Sequence, residues 1–259
     1  MKLGIEINLA YALAEPTDVL LQLEAADLGD QRVTKTQIAT SKVEHFSRVM
    51  AEDDVGERIW LRADEIFSCT YLAEVEIDRR VRDIRAMNEV SPHLLPGDVV
   101  RYILPSRYCP SDEFQSFVAA EFGHLEGGAR IAAMRDWIET AFTYAPGSSS
   151  AQTTALDSFV QRQGICRDFA HVLITLARAS SIPARFVSAY APDVTPPDFH
   201  AVAEVYLDNA WHLIDPTGMA AADTIARIGV GPDAASVAFL TAFGRVDFVS
   251  QSVVVSRLD

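Results

Sequence analysis

Apolar and polar residues alternate through the first eighty or so positions of the chain. The segments KTQIATSKVEHFSRVMA and RIWLRADEIFSCTYLAEVEI combine this period of two with β-branched and aromatic residues. The segments LAEPTD and LEAADLGDQ have the composition of turns and interrupt the pattern. Short strands separated by turns predict a small antiparallel sandwich or sheet in this region.

Helical spacing replaces the alternation in the middle of the chain. Ser111 is a predicted N-cap, and the helix that follows it extends to about Phe122. The segment GGARIAAMRDWIETAF has a single apolar stripe and ends before APGSSS. Thr154 and Asp157 have the spacing of a capping box, which predicts another short helix.

The most regular helical pattern begins at Cys166. Gly164 interrupts the chain just before it, and Pro183 closes the pattern. The residues of the predicted apolar face are Cys166, Phe169, Ala170, Leu173, Leu176 and Ala177. The residues predicted to lie toward other faces are Arg167, His171 and Arg178. The spacing therefore predicts an amphipathic helix with a cysteine at its N-terminal end.

Strand patterns return after this helix, in the segments ARFVSAYA, HAVAEVYLD and AWHLIDPTG. Asp208 and Asn209 separate the last two segments and predict a hairpin turn. The final segment, VAFLTAFGRVDFVSQSVVVSRLD, predicts one or two closing strands.

Prolines divide the chain into two predicted parts. The segments SPHLLPGD and LPSRYCPSD hold four prolines and a glycine, a composition typical of a linker that wraps rather than packs. We predict an α+β chain with a β-rich, sandwich-like N-terminal domain over residues 1–85 and a core over residues 86–259. The linker is predicted at residues 86–110, and the closing strands at residues 236–259 are assigned to the core.

Charge and composition exclude several functional classes. The 259 residues include 22 Lys and Arg against 36 Asp and Glu, which gives a net charge of −14. The basic residues do not cluster, so we expect no nucleic-acid partner. No stretch approaches about 18 uninterrupted apolar residues, so we expect no membrane partner. The N-terminal segment lacks a secretory pattern, and we predict a cytoplasmic location.

The cysteines and histidines form no metal-site motif. The three cysteines include no CxxC pair, and the six histidines include no HExxH. We therefore expect no disulfide framework and no metal site. The motifs GxGxxG, GxxxxGKS/T and GxSxG are absent from the sequence as well, and we expect no cofactor.

Cys166 stands where a thiol becomes reactive. At the N-terminus of a helix, unpaired backbone N–H groups and the helix dipole favour the thiolate, which is the nucleophilic form. The same N–H groups stabilise an oxyanion that develops on a substrate carbonyl. The alternative interpretation is a buried structural cysteine, and position alone does not decide between the two.

A nucleophilic cysteine also requires an imidazole, and the hairpin offers one. His200 begins the strand HAVAEVYL, and Asp215 ends the neighbouring strand AWHLID. An antiparallel hairpin about Asp208 and Asn209 brings His200 and Asp215 to the same open end of the ladder. There the carboxylate can orient the ring, so we predict a Cys166–His200–Asp215 triad.

Three segments carry a resemblance to a known family: GICRDFAHVLITLARASSIPARFVSAYAP, DFHAVAEVYLDNAWHLIDPTG and ILPSRYCPSD. They resemble the bacterial transglutaminase-like proteins that are candidate cysteine proteases. The resemblance covers roughly residues 91 to 218. It implies a β-rich region before a papain-like transglutaminase core, whose catalytic helix packs on an antiparallel sheet. It also implies that Cys166 is the nucleophile, His200 the general base and acid, and Asp215 the orienting acid.

Other candidate residues have competing interpretations. His171 is about 140° around the helix from Cys166, and His212 alternates with Asp215 on its strand, so both are predicted to be structural. Cys69 is predicted to be buried in a strand. Asp168 is predicted to help cap the helix and is a candidate contact for a substrate amine. Cys109 is a predicted packing residue and, because the family motif includes it, a candidate to line the substrate cleft.

Three functions remain open at this point. The first is a hydrolase of peptide or isopeptide amide bonds that works through a thioester acyl-enzyme. The second is an acyltransferase or transglutaminase that uses an amine acceptor, because the same residues serve both reactions. The third is a non-enzymatic binding protein that retains the fold. We favour the hydrolase, with a peptide or amide substrate.

Overall fold

The computed structural model describes residues 1–258. Six strands occupy the N-terminal part of the chain, in agreement with the predicted β-rich region. They are β1 (Lys2–Leu13), β2 (Thr17–Leu21), β3 (Gln31–Thr40), β4 (Val43–Met50), β5 (Glu57–Ala63) and β6 (Ile66–Ile77). Burial alternates along β1, β5 and β6, as expected for strands with one face toward a core.

The middle of the chain is mostly helical. Its elements are α1 (Gly97–Val100), α2 (Gln115–Phe122), α3 (Gly127–Ala141), β7 (Thr143–Tyr144), α4 (Ala155–Gln161), β8 (Gln163–Gly164) and α5 (Cys166–Ala179). Strands then follow as β9 (Ala184–Tyr190), β10 (His200–Leu207), β11 (Ala210–Ile214), β12 (Ala226–Gly231), β13 (Leu240–Ala242) and β14 (Val246–Leu258). In the described range, no helix is both long enough and apolar enough to cross a membrane.

Two four-stranded antiparallel sheets form the β-rich region, in the orders β14-β1-β6-β3 and β13-β2-β5-β4. Residues from both sheets belong to a single apolar cluster, which includes Leu3 and Ile7 of β1, Leu21 of β2 and Leu61 of β5. The two sheets therefore share one core, as in a sandwich.

The closing strands differ from the prediction that assigned residues 236–259 to the core. Strand β14 pairs along its whole length with β1, from Lys2 opposite Leu258 to Leu13 opposite Val246. Strand β13 pairs with β2. A strand pattern predicts a strand but not its partner, and here the partner lies more than 200 residues away in sequence. The sandwich is therefore built from both ends of the chain.

The third sheet is antiparallel, has the order β11-β10-β9-β12 and carries α5 on one face. The hairpin between β10 and β11 turns at Asp208 and Asn209, as predicted. Both turn residues have positive φ, 49° and 61°, which is the conformation of a tight two-residue hairpin turn. All eight residues of β10 are buried.

Two helix starts test the capping predictions. Thr154 caps α4 as predicted: its hydroxyl accepts from the N–H of Asp157 at 3.3 Å, and Asp157 accepts from the N–H of Thr154 at 2.8 Å. Ser111 does not cap the next predicted helix. It begins a short 3-10 turn that ends at Glu113, and α2 starts only at Gln115.

Helix α5 is buried on nearly all sides rather than on one face. Twelve of its fourteen residues are buried, including His171 and Arg178. The Arg178 guanidinium donates to the backbone carbonyls of Ala184 at 2.9 Å and Leu104 at 3.1 Å, so the charge is satisfied inside the protein. The predicted polar faces are therefore covered by the sheet and by the linker segment around Leu104.

Candidate active site

Cys166 is the first residue of α5, as the spacing predicts. Ile165 precedes it in an extended conformation, and the carboxylate of Asp168 accepts from the Ile165 N–H at 2.9 Å. A Cβ atom at Gly164 would lie 2.6 Å from the Cβ of Asp168, so only glycine permits this close approach. The Asp168 side chain therefore holds the first turn of α5, which carries the thiol, against the backbone of Gly164 and Ile165.

His200 and Asp215 meet at the open end of the hairpin. His200 is the first residue of β10, and Asp215 directly follows β11. The His200 Nε2 and Asp215 Oδ2 atoms are 2.9 Å apart, and both side chains are almost fully buried. Asp215 also accepts from the N–H and hydroxyl of Thr217, at 2.8 and 2.7 Å, and from the N–H of Ala220 at 2.8 Å. These four contacts fix the carboxylate that faces the imidazole.

The electrostatics of this pair favour a charged imidazole. Burial lowers the pKa of His200, but the hydrogen bond with Asp215 and the neighbouring Cys166 thiol raise it by more, to about 9. Burial raises the pKa of Asp215, but the His200 ring and the donors of Thr217 bring it below its ordinary value. An imidazolium facing a carboxylate is therefore the stable state at neutral pH.

The Cys166 thiol is a neighbour of the same ring. It is close enough to His200 to raise the pKa of the imidazole, and it donates to the Phe199 carbonyl, 4.0 Å from Sγ. His200 Nδ1 is buried and has no hydrogen bond of ordinary geometry with any residue between 1 and 258. Cys166 as a residue is 8% exposed. The structure thus brings the three predicted residues into one largely buried cluster.

Comparison with known proteins identifies the fold that carries this cluster. The model of the Transglutaminase-like superfamily matches residues 117–216, a range that includes Cys166, His200 and Asp215. A crystal structure from Cytophaga hutchinsonii, described as that of a candidate cysteine protease, is 33% identical in sequence. The match covers 100% of this chain and 91% of that one, with a TM-score of 0.94. The chain belongs to the transglutaminase-like superfamily.

Two mycobacterial proteins are similar in sequence to parts of this chain. An uncharacterized protein of Mycobacterium leprae is 28% identical over 145 residues, which are 52% of this chain and 51% of that protein. An uncharacterized protein of Mycobacterium tuberculosis is 34% identical over 74 residues, which are 29% of this chain and 24% of that protein. The chain thus matches about half the length of the first relative and a quarter of the second.

Tyr144 is a neighbour of the thiol that the sequence patterns do not reveal. The parallel pairing of β7 with β8 places Tyr144 opposite Gly164, two residues before Cys166. Burial, together with the neighbouring Cys166, raises the pKa of Tyr144 well above its ordinary value. Tyr144 therefore carries a neutral O–H group near Cys166 in this transglutaminase-like core. No local motif signals this role, because the contact depends on the β7–β8 pairing.

Asp168 and Cys109, the two predicted substrate contacts, are both buried and engaged within the chain. The Asp168 carboxylate is 1% exposed and accepts from the Ser149 hydroxyl at 2.9 Å as well as from Ile165. The Cys109 thiol is fully buried and donates to the His171 carbonyl at 3.7 Å. Both side chains thus make contacts within the chain, and their assignment to substrate binding stays a prediction.

The other candidate histidines and cysteines lie within the fold: His171 in α5, His212 in β11 and Cys69 in β6, while Cys109 is buried outside these elements. Burial lowers the pKa of His171 to about 3, and its neutral Nε2 accepts from the N–H of Ala234 at 3.2 Å. His212 Nε2 lies 3.1 Å from the Leu207 carbonyl. Burial raises the pKa of Cys69 to about 12 and that of Cys109 to about 11, which keeps both thiols protonated. Between residues 1 and 258, no group of three or more His, Cys, Asp or Glu side chains is arranged to hold a metal ion.

Proposed function

We propose that this chain is a cysteine-nucleophile hydrolase of amide or peptide bonds that works through a thioester acyl-enzyme. The observation that carries the proposal is the buried His200–Asp215 pair, 2.9 Å apart, beside a cysteine at the start of a 14-residue helix. The 33% identical Cytophaga protein, itself described as a candidate cysteine protease, supports the same chemistry.

Acylation follows from the charge on His200. An imidazolium next to a thiol at a helix N-terminus favours the thiolate. The thiolate attacks the carbonyl carbon of the substrate and forms a C–S bond, while the carbonyl electrons move onto oxygen. Backbone N–H groups of the first turn of α5 then stabilise that oxyanion. As the oxyanion collapses, the C–N bond breaks and His200 gives its proton to the departing amine.

Deacylation uses the same residues in reverse order. The neutral imidazole takes a proton from a water molecule as the water oxygen attacks the thioester carbon. The C–S bond then breaks, which releases a carboxylic acid and regenerates the thiolate facing the imidazolium. Asp215 keeps its charge throughout and stabilises the imidazolium each time it forms. Acyl transfer to an amine differs only in the molecule that attacks the thioester.

Selective alkylation tests the proposed nucleophile. Iodoacetamide at pH 6 should label Cys166 much faster than Cys69 or Cys109, whose thiols are held protonated by burial. Peptide mapping by mass spectrometry gives the three rates in one experiment. Equal rates at the three cysteines would contradict an activated thiol at Cys166.

Substitution of the nucleophile tests turnover. Cys166→Ala should abolish hydrolysis of peptide and amide substrates and leave the melting temperature nearly unchanged, because the removed sulfur lies at the edge of the core. Cys69→Ala is the matched control and should keep its activity, since Cys69 lies within strand β6 of the sandwich. A large loss of stability in Cys166→Ala would favour a packing role. Added primary amines that appear in the product would show acyl transfer in place of hydrolysis.

A further inference from the structure

A cavity lies beside the hairpin of β10 and β11. It has a volume of about 570 Å³ and is lined mainly by residues of β11, residues 215–222 and residues 79–87. Its apolar lining includes Val81, Ile84, Trp211 and Ile214. Pockets of roughly 300–1,000 Å³ with an apolar wall are typical of sites for small organic ligands. Its lining includes Asp215 but neither Cys166 nor His200, so this space is not the surroundings of the thiol.

Positive charge exceeds negative charge around this cavity, although the whole chain carries a net charge of −14. The charged lining residues are Arg79, Arg80, Arg82, Arg135 and Arg227 against Asp30, Glu204 and Asp215. Each of the three carboxylates already has a cationic partner. Asp30 pairs with Arg79, Glu204 with Arg227 and with Arg185 from outside the cavity, and Asp215 with His200. The lining therefore has no free carboxylate to balance a further guanidinium.

One guanidinium of the lining is free. Arg80 is exposed and makes no ion pair or hydrogen bond with any residue from 1 to 258. Arg82 and Arg135, in contrast, pair with Asp208 and Asp136. Arg80 is thus the lining cation that is available to a ligand.

Two other arginines of the lining, Arg79 and Arg227, each have one nitrogen without a hydrogen-bond partner among residues 1–258. Arg79 Nη2 and Arg227 Nε are both buried without a hydrogen-bond partner in the described chain. Burial and the nearby charge of Arg227 also hold the pKa of Arg79 below its ordinary value. Asp30 is shared between these two guanidinium groups, and Glu204 is shared between Arg227 and Arg185, so three guanidinium groups face two carboxylates. A negative ligand near them relieves this imbalance.

We propose that this cavity binds a small organic anion, with its carboxylate paired to Arg80 and its apolar body against Trp211, Ile214 and Val81. The apolar wall and the single free guanidinium favour a monocarboxylate over inorganic phosphate, because phosphate gains little from an apolar surface and more from several free cations. The inference is independent of the proposed hydrolysis, since it requires no reaction at Cys166.

Calorimetric titration of the full chain tests this inference with three probes: phenylpropionate, its neutral analogue phenylpropanol, and inorganic phosphate. Phenylpropionate should bind, whereas phenylpropanol and phosphate should bind at least about tenfold more weakly. Arg80→Gln should weaken phenylpropionate binding about tenfold, the cost of one charged hydrogen bond. Arg245→Gln removes an exposed arginine outside this lining and should leave binding unchanged.

Several outcomes would overturn the inference. These are no binding of phenylpropionate, equal binding of phenylpropanol, tighter binding of phosphate, or an Arg80→Gln variant with unchanged affinity. Arg80 is exposed and makes no ion pair or hydrogen bond with residues 1–258, so its substitution should not affect folding. Equal melting temperatures of the two arginine variants check this point. The titration is repeated in Cys166→Ala. Binding that persists there, alongside lost hydrolysis, separates this proposal from that of the catalytic function.

Discussion

Asp215→Asn is the substitution that most directly tests the buried pair of the candidate site. It keeps the size of the side chain and removes its negative charge. In the native chain, the two side chains are 0% and 2% exposed, so solvent cannot take over the role of the carboxylate. In the variant, burial acts on His200 without its counter-ion, and the neutral ring becomes the stable form at pH 7.

The size of the effect follows from the pKa of His200. The folded value of about 9 stands against an ordinary value of 6.5 in the unfolded chain. Between these pH values the folded chain holds one proton that the unfolded chain has lost. At about 1.4 kcal/mol per pH unit, the free energy of unfolding then falls by about 3 kcal/mol across the window. The contribution is fully present below pH 6.5 and is lost as the pH rises through 9.

Urea unfolding from pH 6 to pH 9.5, followed by tryptophan fluorescence, measures this contribution. The difference in unfolding free energy between the native chain and Asp215→Asn should be largest below pH 6.5 and should shrink by about 3 kcal/mol by pH 9. Asp223→Asn is the matched control. Asp223 is exposed and has no ion pair with another residue in the described range, so its curve should run parallel to that of the native chain.

Parallel curves for the native chain and Asp215→Asn would refute the reasoning, because the proton on His200 would then not depend on Asp215. A direct check is the titration of the His200 ring by nitrogen NMR. The native ring should remain protonated well above pH 7, and the variant ring should be neutral there.

Two further substitutions probe the surroundings of the thiol. Tyr144→Phe should slow acylation by up to about a hundredfold with little change in stability, because it removes an O–H donor near the reacting sulfur. Stopped-flow assays measure the acylation rate, and faster acylation in the variant would show that the hydroxyl shields the thiol instead. Gly164→Ala should lower the free energy of unfolding by about 1–3 kcal/mol, since its Cβ meets Asp168 at 2.6 Å. Gly29→Ala, whose Cβ meets nothing within 4 Å, is the control in the same urea series, and equal losses would contradict the packing argument.

Local sequence signals predict those parts of the candidate site that depend on local structure. The break at Gly164 and the apolar spacing after it give the start of α5 at Cys166. Asp208 and Asn209 give the hairpin, and the hairpin geometry in turn brings His200 and Asp215 within 2.9 Å. Each step involves residues that are close in sequence, or a register set by a two-residue turn.

Features that depend on distant partners are not predictable in this way. The spacing of α5 predicts one apolar face, but Arg178 is buried because carbonyls from 74 residues before it and 54 residues after it surround its guanidinium. Asp168 has the position of a helix cap, and its carboxylate accepts both from the Ile165 N–H and from the distant Ser149 hydroxyl. The contact of Tyr144 with the thiol likewise depends on a two-residue parallel pairing. In each case the role of the side chain is set by tertiary contacts that no periodicity encodes.

The closing strand shows that the sandwich also supports the candidate site. Gln251 of β14 donates to Asp198 Oδ1 at 2.7 Å, and Arg257 of the same strand pairs with Asp193. Both carboxylates belong to the segment that leads into His200. Phe199, the residue before His200, stacks on Phe239 with ring centroids 4.3 Å apart, and its carbonyl is the one that faces the Cys166 thiol. Strand β14 is held in turn by β1. The N-terminal sheet therefore supports the segment that leads into His200, and the β-rich region is part of the scaffold of the candidate site.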